Sequence, residues 1–559
     1  KIVIEKKEDS KRMNSVTGVP FLKSSSSSMS SSTKKRKRRS LWTFRLPTTM
    51  TFCRIGPSMM SLLLLSIFDL FTLKVAANLD RCLFKTNCVL DEKELNVACS
   101  GDVFDQVPLC LSPRLLRLSL HKTMIHTVYL ASFIHYEDLK YVNLSHSPVS
   151  VIEKKAFESQ DKLEELYLND NKISYLDSEI FLGLKNLHVL SLRGNLLEEV
   201  PDGVFQQMPR LEQLDLSHNR ITTIGNEMLR GLPRLTVLLL SQNRLKTIPS
   251  TTLVQVPHLA EFSIGGNNFK AVNKKDFEAL RSLTFLDLSG TDFSNGIESI
   301  SFEYIADLRS LKLNDCSLKE VPTAALSKLG ELEELELNRN FLVDIPKGAF
   351  SANRRLKILR ISGNPNLERI SPGSLRDNLN LVQVDFSRNR HLTFLPPDDF
   401  RFLTSLSTLD LHGDNLNYIP QDAVSWSDIP TWYLHDNPIT CNCSSAWLRK
   451  MLISRNQSTS STLRCAEPQA LQGIPLSSTE LSDLFCGLDA ATQGVVIALS
   501  VCGLLLVLAS VAFFLLYLNR GSCVRQLLKG QKWSRASRSA SRSYDSEYPC
   551  IKPVPVTEL

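Results

Sequence analysis

Between residues 115 and 439 the apolar positions follow one pattern, LxxLxLxxNxL. Its first position falls at Leu115, Leu139, Leu163, Leu187, Leu211, Leu235, Leu259, Leu283, Leu308, Leu332, Leu356, Leu381, Leu406 and Ile429. The spacing is 24 residues with few exceptions. Alternation in LxL predicts a short strand whose leucines point inward while the residues between them face outward. One such unit cannot bury its own apolar face, so the units must stack and share a continuous core. Asparagine fills the ninth position at Asn171, Asn195, Asn219, Asn243, Asn267, Asn340, Asn364, Asn389 and Asn437. An amide there can satisfy backbone groups that stacking buries. Cys316 takes that slot in the ninth unit and is expected to be a buried thiol. Phe157, Phe181, Phe205, Phe277 and Phe350 each fall 18 residues after their unit's first leucine and predict an aromatic spine on the outer side.

Two apolar runs lie outside the repeat. Ser61–Leu73, after Arg54 and before the small residues Val75-Ala76-Ala77, has the form of a secretory signal cleaved before Asn78. Gly494–Leu518 holds 25 residues without a charge, about 37 Å of helix against a hydrocarbon core of ~30 Å. Arg520, Arg525, Lys529 and Lys532 follow it, which places that side in the cytoplasm. The expected organisation is a basic upstream segment over 1–49 that is absent from the mature protein, then a signal peptide over 50–77. A cysteine cap over 78–114 precedes the repeats over 115–439, and a second cap and stalk cover 440–493. A transmembrane helix over 494–518 and a disordered tail over 519–559 complete a type I, single-pass plasma-membrane topology.

Charge changes the picture once it is divided along the chain. The total is +7, but residues 1–77 carry +11 and residues 519–559 carry +5, which leaves −9 for everything between. An acidic bulk argues against nucleic-acid binding. The Lys34–Arg39 block, which in isolation resembles a nuclear-import tag, lies upstream of the expected cleavage site. Cys82, Cys88, Cys99 and Cys110 precede the first unit, and Cys441, Cys443, Cys465 and Cys486 follow the last. Cysteines clustered at both ends suit disulfide caps in an oxidising compartment. Four cysteines in the front cap allow three connectivities.

Units such as LEQLDLSHNRI (Leu211–Ile221) and LEELELNRNFL (Leu332–Leu342) resemble the leucine-rich repeat superfamily in its 24-residue extracellular form. The resemblance implies an α/β-type solenoid, a curved horseshoe of about 14 repeats. The rear segment NPITCNC with Trp447, Cys465 and Cys486 resembles the animal C-terminal capping domain. That likeness implies the pairings Cys441–Cys465 and Cys443–Cys486, with Trp447 in the core of the cap. The whole plan resembles neuronal and epithelial leucine-rich repeat adhesion and guidance receptors with short tails.

Chemistry is sparse. No GxSxG, HExxH, Walker-type or CxxC pattern is present, so no enzyme, cofactor or metal is expected. His412 and His435 share one outward position on adjacent strands near Asp410 and Asp436, but two histidines without a third ligand do not make a metal site. A tail of 41 residues cannot enclose a kinase or Toll-type signalling domain. Binding is left: an extracellular protein or a receptor on a neighbouring cell is the expected partner, with a co-receptor role as the alternative. Outward strand positions are mostly polar, and against them Val237, Leu239 and Phe285, with Glu261 between, form the expected ligand patch. Sequons stand at Asn143, Asn442 and Asn456. The chain ends Thr557-Glu558-Leu559, which resembles a class I PDZ ligand and makes a cytoplasmic PDZ scaffold an expected partner.

Overall fold

The computed structural model describes residues 88–91, 95–455, 463–484 and 490–529. All of them lie in the unit Lys74–Leu559, and the unit Lys1–Leu73 falls outside the described residues. So do the rest of the expected signal sequence, Cys82, Asn456, Cys486 and the tail beyond Lys529 with Thr557, Glu558 and Leu559.

Each repeat is one coil of a solenoid. Fourteen parallel three-residue strands run side by side in one sheet, from Arg117–Ser119 in coil 1 to Thr431–Tyr433 in coil 14. Register partners stand 24 residues apart, as for Arg117 and Tyr141, with 25 between Phe285 and Ser310 and 23 between Thr408 and Thr431. The front cap is an antiparallel hairpin, Cys88–Asp91 with Asn96–Cys99, whose second strand pairs parallel with coil 1 and adds a fifteenth turn to the stack. Cys88 and Cys99 are bonded across that hairpin. Cys110 is also in a disulfide.

The inward leucines are fully buried, and so are Phe157, Phe181, Phe205, Phe277 and Phe350 of the outer spine. Phe133, Phe157, Phe181 and Phe205 stack in series, with ring centroids 5.4, 6.3 and 6.2 Å apart. Removing one such ring from a packed column costs about 3 to 5 kcal/mol. The asparagine column works as a ladder. In coil 5, Asn219 Nδ2 donates to the carbonyls of Leu192 and Leu216, both at 3.0 Å, while its Oδ1 accepts from Leu197 N at 3.1 Å. Asn171, Asn195, Asn243 and Asn267 repeat this geometry. Each amide thereby joins its own coil to the one before.

Five coils depart from the ladder. Thr123 and Ser147 take the slot in coils 1 and 2, with their hydroxyls 3.0 Å apart. Thr291 stands in the slot of coil 8, and its buried hydroxyl has no hydrogen-bond partner. Cys316 Sγ donates to the carbonyls of Leu288 and Asn314 in coil 9, and burial pushes the thiol up to about 12, so it stays protonated. Asp414 holds the slot in coil 13. Its Oδ1 accepts from Asn389 N at 2.7 Å, but its Oδ2 is buried without a partner.

The residue before the ladder position turns left-handed in coil after coil. Lys122, His146, Asp170, His218, Gln242, Asp315, Arg339, Arg388 and Asp436 adopt φ between 53° and 61°, and Gly194, Gly266, Gly290, Gly363 and Gly413 take the same place elsewhere. Polar or glycine residues suit that turn because a β-branched side chain there would be strained. The convex side is built from turns, two-residue strands such as Glu199–Val200, and one-turn helices such as Thr323–Leu326.

Behind coil 14, strand Ile439–Thr440 pairs with Cys465–Glu467, and Cys441 is bonded to Cys465 with Cα atoms 5.5 Å apart. Trp447, on the helix Ala446–Arg455, packs against the core with its ring 5.6 Å from Trp426. The second pairing that the capping-domain likeness implies is not formed. Cys443 is an exposed free thiol at the start of the 3-10 turn Cys443–Ser445, turned to solvent. The C-terminal helix spans Ala490–Lys529, longer at both ends than the expected 494–518. Its apolar part, Gly494–Tyr517, is the one helix among the described residues long and apolar enough to cross a membrane.

Candidate functional site

The sheet presents three outward positions per coil, the third, fifth and seventh of the repeat, and parallel register lines them up in rows. Val237, Glu261 and Phe285 are register partners on coils 6, 7 and 8, so they form one continuous row. Leu239 lies in the next row, between Asp215 and Ser263. The strands therefore bring together the four residues expected to form the patch. Glu261 is exposed, whereas Val237, Leu239 and Phe285 are half-buried instead of open. The reason is spacing: neighbouring strands lie about 4.8 Å apart, so each side chain is flanked by the next. Lys312, one coil on, extends its Nζ over the Phe285 ring at 5.6 Å from the centroid.

Around this row the carboxylates are held by hydroxyls. Asp215 Oδ1 accepts from Ser217 N and Oγ, and its Oδ2 accepts from Ser191 Oγ at 3.3 Å. Asp287 Oδ2 accepts from Ser263 Oγ at 3.1 Å, and Ser263 Oγ is 2.6 Å from Ser241 Oγ, a hydroxyl chain across three coils. Two coils further on the face changes character. Arg360 donates to both Glu334 and Glu336, Lys312 Nζ stands 3.5 Å from Glu336, and Ser310 Oγ donates to Glu334 at 3.0 Å. Burial alone would raise the Glu334 carboxyl. The hydrogen bonds from Arg360 and Ser310, with the charges of Arg360 and Lys312, outweigh it and hold the group below its ordinary value.

Residues 137–197, 185–245, 233–293, 306–365 and 354–416 match the leucine rich repeat family model. These stretches are leucine-rich repeats. A putative neurotrophin receptor, LTRK 1 of Lymnaea stagnalis, is 34% identical over 59 residues, which is 11% of this chain and 7% of that protein. Among solved structures, a crystal structure of a TLR13–ssRNA13 complex superposes with a TM-score of 0.47 at 22% identity. That match covers 66% of this chain and 50% of the other, so this leucine-rich repeat chain spans about half the length of its structural neighbour.

Two further groups stand on the sheet face, the first not singled out by sequence and the second the histidine pair noted there. In coils 1 to 3 the Arg117 guanidinium sits 3.9 Å over the Tyr141 ring, Tyr141 and Tyr167 have centroids 5.4 Å apart, and Tyr167 donates to Glu165 at 3.0 Å. Burial, then the Glu165 carboxylate, push the Tyr167 phenol up to about 12. Aligning outward positions of successive repeats would have shown this cluster. Asn143 lies inside it: Nδ2 donates to Tyr141 Oη at 3.3 Å and Oδ1 accepts from Ser145 N. Asn442, by contrast, caps the Cys443–Ser445 turn by accepting from Ser444 N at 2.9 Å. The second group is at coils 13 and 14. His412 and His435 stack at 4.6 Å, and His412 Nδ1 is 2.6 Å from Asp410 Oδ1. Arg388 Nε donates to His412 Nε2 at 3.1 Å, so both ring nitrogens of His412 are engaged and Nδ1 carries the proton given to Asp410.

Proposed function

We propose that this protein is a cell-surface recognition receptor that grips a protein partner on the sheet face of coils 6 to 8 and acts in cell–cell contact at the plasma membrane. One observation carries the reading: Val237, Leu239 and Phe285 form an apolar cluster at the middle of a face whose other outward positions are mostly polar. Apolar anchors inside a polar rim are the usual anatomy of a protein interface. A rigid stacked sheet suits the task because its side chains are held by fourteen coils and little ordering is needed on binding. The apolar helix Gly494–Tyr517 supports a single-pass arrangement with the solenoid on one side.

The test is mixing of labelled cells that express the full chain with cells that lack it. Clusters that form between the populations, and that disappear with Leu239→Asp and Phe285→Asp at unchanged surface display, support recognition in trans. Clusters that persist with the double variant would move the site elsewhere. Association with a second receptor on the same cell, without clustering, would replace adhesion by a co-receptor role.

A further inference from the structure

The rows of coils 5 to 8 are Gln213, Val237, Glu261, Phe285; then Asp215, Leu239, Ser263, Asp287; then Ser217, Ser241, Gly265, Ser289. They contain three carboxylates and no lysine or arginine. Among the described residues none of Asp215, Glu261 and Asp287 is in an ion pair; two accept from serine hydroxyls and backbone N–H, and Glu261 stands exposed. The cations at the borders touch the face, Lys312 leaning over Phe285, but neither pairs with one of these carboxylates. Arg193 of coil 4 donates to Ser217, and Lys312 of coil 9 stands against Glu336. Carboxylates without a cation leave the face net negative, most openly at Glu261, beside apolar side chains whose low dielectric strengthens attraction to an arriving cation.

We infer that the partner presents a basic epitope, one or more Lys or Arg side chains beside a large apolar residue, to the face of coils 5 to 8. This rests on the proposed docking site and adds its chemistry. The apolar residue of the partner packs among Val237, Leu239 and Phe285. Its cation meets Glu261 and Asp287, which flank Phe285 along the row and along the strand. Such a pairing desolvates no internal ion pair, because none exists there to be broken.

The experiment selects phage-displayed random peptides on the full chain in nanodiscs at low salt. Enriched peptides are expected to combine Lys or Arg with Leu, Ile or an aromatic residue within a few positions. They should bind a Glu261→Gln, Asp287→Asn variant about ten-fold more weakly and lose affinity as salt rises. Both substitutions keep side-chain shape, and the Asp287→Asn amide can keep its oxygen for Ser289 N–H and donate its N–H to the Ser263 hydroxyl, so folding is not at issue.

Failure to enrich any peptide, enrichment of acidic peptides, or equal affinity for the double variant would overturn the inference. Uncharged peptides that still require Leu239 and Phe285 would remove the charge requirement while leaving the docking site in place. Basic peptides indifferent to Leu239→Asp and Phe285→Asp would remove both.

Discussion

Coils 5 to 8 and coils 9 to 11 share one sheet, one register and one interior, yet their outer faces are opposite in kind. In coils 9 to 11 the charges answer one another: Arg360 bridges Glu334 and Glu336, Lys312 approaches Glu336, and at the edge Arg309 and Lys357 both reach Glu333. In coils 5 to 8 Asp215 and Asp287 are held by serines, Glu261 stands exposed, and the apolar side chains lie among them. A self-paired face offers an incoming ligand little, since each new contact must first break an old one. An unpaired face is available. A repeat protein can make this distinction at little cost in fold, because the buried apolar column runs unbroken under both regions and each loses the ladder asparagine in one coil only, to Thr291 in coil 8 and Cys316 in coil 9.

That equality of the interior is open to a direct challenge at Asp414, where the largest effect is expected. Burial, against the opposing hydrogen bond from Asn389 N–H and with the nearby Asp410 and Asp385 carboxylates adding to it, pushes this group up to about 9. The folded chain therefore holds a proton that the unfolded chain releases near pH 4. Stability from this group is complete below pH 4 and falls as pH rises toward about 9, by about 1.4 kcal/mol per unit. At pH 7 the deficit approaches about 4 kcal/mol. Asp414→Asn supplies the ladder amide and should raise the melting temperature at pH 7 and flatten the profile between pH 5 and 8. Tryptophan fluorescence melts of the full chain read the change locally, since Trp426 of the same coil packs against Trp432 of the next. Parallel pH profiles for both proteins would mean that the carboxyl is not carrying the proton.

The next effect separates the two faces themselves. Leu239→Asp with Phe285→Asp should weaken partner binding about 100-fold, as loss of central apolar anchors does. Ile358→Asp places the same charge on an outward position of coil 11 and should change binding less than about three-fold. Arg360→Ala should cost about 2 kcal/mol of stability while leaving binding alone, because Glu334 and Glu336 lose their shared cation. The Glu334 contribution is present above about pH 4 and lost as pH falls through its depressed value, so this variant should lose the acid-side part of the melting curve. Binding assays and pH-dependent melts on the same preparations check all three.

Much of the fold was legible because a repeat states its interior many times over. The positions of Leu214 and Leu216, of Asn219, and of Phe181 follow from periodicity alone, and each is buried as its position requires. The face was legible only as a list of outward residues. That Lys312 would lean over Phe285 depends on side-chain torsions across a strand boundary, which a period does not encode. The Tyr141–Tyr167 stack and the Arg388–His412 bond are of the same kind. Asp414 was hidden for another reason: attention to residues that match a column passes over the one that does not. Cys443 shows the limit of likeness, since a family pairing fixes a partner in sequence but not the orientation of this thiol.

The smallest effect gives the comparison its sign. Lys312 belongs to coil 9 but shields coil 8: its ammonium sits 5.6 Å over the Phe285 ring and 3.5 Å from Glu336. It is also the register neighbour of Asp287, so it dilutes the acidic field where a cationic partner would arrive. Lys312→Gln should uncover Phe285 and leave Asp287 unopposed. Glu336 keeps Arg360 at 3.0 Å, so the loss of stability should stay below about 1 kcal/mol. A cation–π contact at a partly exposed site contributes about 0.5 to 1 kcal/mol, and removing it frees the ring for the ligand. Affinity should therefore rise by about two- to five-fold at low salt, and the gain should fade as salt screens it. Weaker binding by Lys312→Gln would show that the partner uses this lysine as a contact. Its epitope would then be acidic, and the two faces would act as one site spanning coils 5 to 11.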